Sequence, residues 1–160
     1  DSYRNRISLY NNAVNDCNGT IKFYPVNPNK GTGYNPGASS KYKFIDGLNG
    51  TFFNQNWIQD EIEVEAVTLD DWRKNNNIDK IDCIWIDVQG AELDVFRGGL
   101  ETLKDVKVIF TEIATKAYYD GQPLYKEFDD FLTSIGFTEV KESREDNVVG
   151  YEINTIYIRK

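Results

Sequence analysis

The side chains best suited to chemistry in this 160-residue chain are carboxylates that follow apolar runs. Asp87 ends the run IDCIWIDV (81–88), Gln89 and Gly90 form a turn, and Glu92 opens the next amphipathic segment. Glu112 lies near the end of a second apolar run, VKVIFTEI (106–113). Ligands of open parallel sheets bind beyond the carboxyl ends of the strands, which directs attention to 87–92 and to Glu112. Paired acids suit glycoside hydrolysis or a hard divalent cation. No EF-hand loop, Walker A loop, GxSxG elbow or GxGxxG turn accompanies them. Each acid also has a plain structural reading. Glu92 answers the positive end of a helix dipole, Asp87 caps, and Glu112 pairs with a base. The chain has no histidine, which removes Ser-His-Asp and Cys-His catalysis and zinc sites built on imidazole.

The elements that must position these acids can be read from periodicity. IDCIWIDV carries apolar residues on both parities, as in a strand covered on both faces, and Cys83 within it reads as a buried thiol. AELDVFRGGLETLKD (91–105) repeats Leu93, Phe96, Leu100 and Leu103 at helical spacing. With 106–113 as a second buried strand, the three form a βαβ unit with a right-handed crossover. Pro123 introduces a further helix that Gly136 closes. FTEVKE (137–142) and GYEINTIYIRK (150–160) predict a terminal antiparallel pair. Upstream, 7–14 and 19–26 predict a hairpin, and 27–43 a long loop. DEIEVEAV (60–67) alternates with period two, and Thr68 with Asp71 has the spacing of a capping box for a short helix ended by Asn75–Asn77.

Length and charge bound the rest. One domain, 1–160, is expected, large enough to bury about two-thirds of its unfolded surface. The net charge is −8, which disfavours nucleic acid and anionic membrane surfaces as partners. No apolar run reaches the ~20 residues of a membrane span, and no signal peptide is visible. Two cysteines make no disulfide framework. Asparagine occurs 16 times, 14 of them in residues 1–77, so the first half is rich in turns. Asn18-Gly19-Thr20 and Asn49-Gly50-Thr51 match glycosylation sequons, a pattern common by chance.

The stretch IDCIWIDVQGAELDVFRGGLETL (81–103) resembles the FkbM family of S-adenosylmethionine-dependent methyltransferases. That family has a strand ending in Asp-Val-Glu-Gly-Ala-Glu and then a Leu-x-Val-Leu-x-Gly helix. Here the residues are Asp87-Val88-Gln89-Gly90-Ala91-Glu92, followed by Leu93, Val95, Phe96 and Gly98. Asn11-Asn12-Ala13, Gly37-Ala38-Ser39-Ser40 and Thr68-Leu69-Asp70-Asp71 resemble three further family segments in the right order, and VIFTEI (108–113) resembles the next strand. Gln89 departs from the usual glutamate.

The resemblance implies a Rossmann-like class I methyltransferase sheet, mostly parallel, with a C-terminal antiparallel strand pair. The Gly-rich first turn and the ribose-binding acid are not found, so the expected fold lacks its first two strands and is the C-terminal part of a longer molecule. The cofactor implied is S-adenosyl-L-methionine, held by Asn12, Ala13, Asp87, Val88 and Gln89. The reaction implied is O-methylation of a sugar or natural-product hydroxyl, with Asp87 the first choice of base and Glu92 and Glu112 next. Ser39 and Ser40 are expected to bind substrate from a mobile loop. The expected partner is a small-molecule or glycan acceptor, and the expected location cytoplasmic. A competing reading is a non-catalytic recognition module for a carbohydrate or protein, with Tyr34, Tyr42, Phe52, Phe53 and Trp57 as its aromatic candidates.

Overall fold

A computed structural model describes residues 6–45, 56–146 and 151–160. Nine strands and four α-helices are described: β1 (Ala13–Asn15), β2 (Gly19–Phe23), β3 (Val26–Gly31), β4 (Trp57–Gln59), β5 (Ile62–Thr68), α1 (Leu69–Asn75), β6 (Cys83–Ile86), α2 (Glu92–Arg97), α3 (Leu100–Leu103), β7 (Val108–Ala114), α4 (Tyr125–Ser134), β8 (Phe137–Asp146) and β9 (Glu152–Arg159). Three sheets result, with strand orders β1-β5-β2, β3-β4 and β6-β7-β9-β8.

The four-stranded sheet carries the core. β6 and β7 are parallel, with Cys83 opposite Val108 and Trp85 opposite Phe110, so α2 and α3 form the expected crossover. β9 runs antiparallel between β7 and β8, as expected for the terminal pair. Leu93, Phe96, Leu103, Val106, Ile109, Leu132, Phe137 and Tyr157 are each at most 1% exposed. They form one cluster between this sheet and the helices. Phe128 joins them, edge-on to both Phe96 and Tyr157. Burial at this level is the main source of stability, roughly 1.5–3 kcal/mol for each large apolar side chain.

Several expectations are corrected. IDCIWIDV is not covered on both faces: Trp85 is 78% exposed and Cys83 is exposed, while Ile86, on the other face of the strand, is buried. The 91–105 helix is two helices, broken at Gly98-Gly99. A Cβ at Gly98 would stand 2.1 Å from the Asn15 carbonyl oxygen, so glycine there lets β1 approach the end of α2. The 7–14 and 19–26 runs do not pair with each other, since β5 lies between β1 and β2. The predicted 27–43 loop contains most of β3 and a 3-10 turn at Pro36–Ala38. Among the described residues two strand pairings are parallel and four antiparallel, so this part of the molecule is mixed rather than mostly parallel.

The cap at Thr68 is real and has been extended. Thr68 Oγ1 accepts the Asp71 amide at 3.1 Å. Asp71 is too short to return a bond to the Thr68 amide, and Asn18 Oδ1 accepts that amide at 2.9 Å while its own amide nitrogen donates to Asp71. Of the two sequons, Asn18 thus serves as a distant cap, and Asn49-Gly50-Thr51 lies outside the described residues.

Candidate active site

Asp87 follows β6 and is exposed at the carboxyl end of its sheet, where the sequence placed it. The chain then turns sharply: Gln89 takes φ 53° and Gly90 φ 93°. A Cβ on Gly90 would also meet the Gln122 side-chain nitrogen at 2.7 Å, so both conformation and space require glycine.

Glu92 closes this turn from below. It is 6% exposed, and its Oε1 accepts the Val88 amide at 2.9 Å and the Gly90 amide at 3.3 Å. Burial pushes its carboxyl up to about 7, helped by the nearby Asp87 charge and opposed by the backbone amides it receives. Ser40 closes the turn from above. Its hydroxyl donates to the Gln89 carbonyl oxygen at 2.7 Å and accepts the Tyr42 amide at 3.1 Å. Ser40 is 1% exposed, and Ser39 Oγ accepts the Val26 amide at 3.0 Å. Both serines hold the loop in place, and neither hydroxyl projects freely into solvent.

The Gln89 side chain is oriented by its neighbours. The Tyr119 hydroxyl lies 3.0 Å from the Ala38 carbonyl oxygen and 3.2 Å from Gln89 Oε1, so it has only acceptors around it and donates. Burial raises the Tyr119 phenol, and the carboxylates of Glu152, Glu92, Asp87 and Glu112 add to this, so it stays protonated. With Oε1 facing that hydroxyl, the amide nitrogen points to Asp87 Oδ1 at 2.7 Å. Glu112, on β7, is half-buried in the same group. Burial raises its carboxyl, the Asp87 charge raises it further, and the Gln89 amide opposes both.

Asp87, Val88, Gln89, Glu92 and Glu112 therefore converge. Asn12 and Ala13 stand apart from them. They line a cavity of about 500 Å³ with Asn11, Phe23, Val64 and Glu65, at the β1-β5-β2 sheet. Its amide, apolar and carboxylate groups suit a base and a sugar hydroxyl, which fits the adenosine end of S-adenosylmethionine.

Sequence reading missed two groups. Tyr119 and Gln122 come from the segment between β7 and α4, where Gln122 Oε1 accepts the Tyr118 and Tyr119 amides. The second group surrounds Asp94, whose side chain is 5% exposed. It receives the Tyr42 hydroxyl at 2.6 Å and the Lys41 ammonium at 2.8 Å, and Lys41 also donates to Asn15 Oδ1. Tyr42, an aromatic candidate for recognition, is thus engaged in tying the 38–45 segment to α2, while Tyr34 is exposed. Phe52 and Phe53 lie outside the described residues. No pattern in the sequence marks these long-range partners, except that Asp94 breaks the polarity expected of a buried helix position.

The family described as Methyltransferase FkbM domain matches residues 2–139. The chain belongs to the FkbM methyltransferase family. The 2-O-methyltransferase NoeI of Sinorhizobium fredii is 34% identical over 134 residues, covering 81% of this chain and 52% of that protein. The chain spans about half the length of this curated relative. No solved structure matches. In this FkbM chain Gln89 lies at the centre of the hydrogen-bond network of the 87–92 turn.

Proposed function

We propose that this FkbM domain belongs to an S-adenosylmethionine-dependent enzyme that methylates a hydroxyl oxygen of a sugar or natural product. The observation that carries this reading is the 87–92 turn, where an exposed carboxylate is held at a strand end by a buried, fully bonded frame. Membership of the family and the 2-O-methyltransferase relative support the reaction class. When bound, the cofactor supplies an electrophilic methyl group whose C–S bond breaks as the new O–C bond forms. Asp87 receives the proton of the acceptor hydroxyl as its oxygen becomes the nucleophile. Gln89 orients Asp87, and Glu92 and Ser40 keep the turn rigid, so the geometry needs no reorganisation at the moment of reaction. Glu112 is a second proton acceptor beside Asp87. Asn12 and Ala13 hold the adenosine end.

The finer fold belongs to the same proposal. The β6-β7-β9-β8 order is that of one half of a Rossmann-like sheet, and β6 is its open edge toward the other half. S-adenosylmethionine is made and used inside cells, and the reading carries a cytoplasmic location with it.

The test is calorimetric binding of S-adenosylhomocysteine to the full-length protein, followed by methyl transfer in Asp87→Ala. Binding is expected in both proteins, with turnover reduced about 10²–10⁴-fold in the variant, the usual contribution of a positioned base. Undiminished turnover removes Asp87 from the mechanism, and absence of S-adenosylhomocysteine binding overturns the cofactor.

A further inference from the structure

Tyr119 lies outside the 87–92 turn, yet its own surroundings are built as tightly. Its ring is 2% exposed and stacks on Phe44, with centroids 5.2 Å apart and planes 19° from parallel. Its backbone is pinned at several points. Gln122 Oε1 accepts the Tyr118 amide at 2.9 Å and the Tyr119 amide at 3.3 Å. The Ile45 amide donates to the Tyr118 carbonyl and the Asp120 amide to that of Lys43, which bridges 43–45 to 118–120. Gln122 in turn fills the space that a Cβ on Gly90 would need. The phenol is therefore delivered to one place, 3.2 Å from Gln89 Oε1 and 3.0 Å from the Ala38 carbonyl oxygen.

The two ends of a primary amide are nearly equal in size, so hydrogen bonding decides which end of Gln89 faces Asp87. While Asp87 is ionised, its Oδ1 needs a donor and takes the Gln89 amide nitrogen at 2.7 Å. Once Asp87 carries a proton that demand is gone, because a carboxylic acid can donate to an amide oxygen as well as accept from an amide nitrogen. The Tyr119 hydroxyl is then what keeps Oε1 turned away. It donates in either state because the phenol stays protonated. Burial raises it, and the carboxylates of Glu152 on β9, Glu92 on α2, Asp87 after β6 and Glu112 on β7 raise it further. Glu112 depends on the same amide: burial and the Asp87 charge raise its carboxyl, and the Gln89 side chain opposes them.

We propose that Tyr119 is a positioning residue of the reaction: through Gln89 it keeps an N–H, and not a carbonyl oxygen, facing Asp87 and Glu112 before and after the proton moves. This rests on the methyltransferase reading, in which Asp87 takes up the proton of the acceptor hydroxyl. A flipped amide would accept that proton in a hydrogen bond and hold Asp87 in its neutral form, which receives nothing further.

The test is carbon-13 NMR of the full-length protein labelled at its glutamate carboxyls, with the Glu112 resonance assigned by Glu112→Gln. In Tyr119→Phe, which keeps a ring on Phe44 and removes only the hydroxyl, Glu112 is expected to titrate at higher pH than in the wild type. Methyl transfer is expected to lose about tenfold in kcat, with KM and S-adenosylhomocysteine affinity held. In a Gln89→Ala background the same substitution is expected to move neither the titration nor kcat further, because no amide is left to orient. A Glu112 titration unmoved by Tyr119→Phe, or moved as far in both backgrounds, overturns the proposal and leaves Tyr119 a structural residue. Should Tyr119→Phe fold poorly, nuclear Overhauser contacts of the Gln89 amide protons in the wild type decide. Contacts to Asp87 from mildly acidic to neutral pH support the orientation, and contacts to the Tyr119 ring edge instead overturn it. A Glu112 shift as expected in a protein that binds no S-adenosylhomocysteine keeps the orienting role and refutes the methyl-donor reading instead.

Discussion

At the scale of single residues, Glu92 and Gln89 show how one turn is held together by groups with different electrical demands. Glu92 is raised from 4.5 to about 7 by burial. Its folded value is above its unfolded one, so the native state keeps a proton that the unfolded chain has lost between pH 4.5 and 7. Stability is therefore greatest below this window and declines across it, by roughly 3 kcal/mol at most. Glu92→Gln retains an acceptor for the Val88 and Gly90 amides, and urea titrations across pH 5–7 are expected to lose that component of the slope. Glu92→Ala strands two amides and is expected to cost about 2 kcal/mol at pH 5. Gln89→Glu is expected to act on function. It removes the amide that holds the Glu112 carboxyl down and puts a carboxylate there instead, so Glu112 is raised further and the acidic limb of the activity profile should move to higher pH. An unmoved limb would mean that Glu112 does not shape the profile.

Elements in this molecule are capped and spaced by residues far away in sequence. α3 has no side-chain cap of its own. Asp70, on α1, supplies one: its two oxygens accept the Glu101 amide at 3.0 Å and the Thr102 amide at 2.7 Å. The Asp of the Thr-Leu-Asp segment is thereby explained by architecture. Asp70→Ala is expected to lower stability by about 1–2 kcal/mol and to speed hydrogen exchange at Thr102, with Asn a partial substitute. The break between α2 and α3 is equally specific. In Gly98→Ala the added methyl collides with the Asn15 carbonyl. A net loss of roughly 2–4 kcal/mol in chemical denaturation is expected.

Across the whole molecule, one residue near the end of the sequence gathers the ends of several elements. Arg159 donates to the carbonyls of Val106, Ile135 and Leu103, and its guanidinium lies 4.3 Å from the Phe137 ring centroid. The ends of α3 and α4 are thus tied to β9. Arg159→Ala is expected to cost about 3 kcal/mol by thermal denaturation, and Arg159→Lys to recover little of it, because one ammonium cannot span three carbonyls. The opposite face of the same sheet keeps exposed apolar side chains. Trp85 and Phe110 lie together there at 4.5 Å, with Ile158 41% exposed on β9.

Local pattern was enough to locate the 87–92 turn, the βαβ unit, the Thr68 cap and the terminal strand pair. Each rests on interactions within a few residues, or on a periodicity that burial enforces, and those are written along the chain. Asp87, Glu92 and Glu112 could be nominated on that basis, since strand ends and helix starts are local facts. Their surroundings could not. Which face of β6 is covered depends on what packs beside it, so Trp85 and Cys83 read as buried from apolarity alone. The insertion of β5 between β1 and β2 and the Gly98-Gly99 break depend on contacts between segments 30 or more residues apart. The same holds for Ser40, Tyr119 and Gln122 around Gln89, and for Lys41 and Tyr42 on Asp94. Polar side chains of this kind satisfy whatever partner the fold brings near, and only the tertiary structure decides which partner that is.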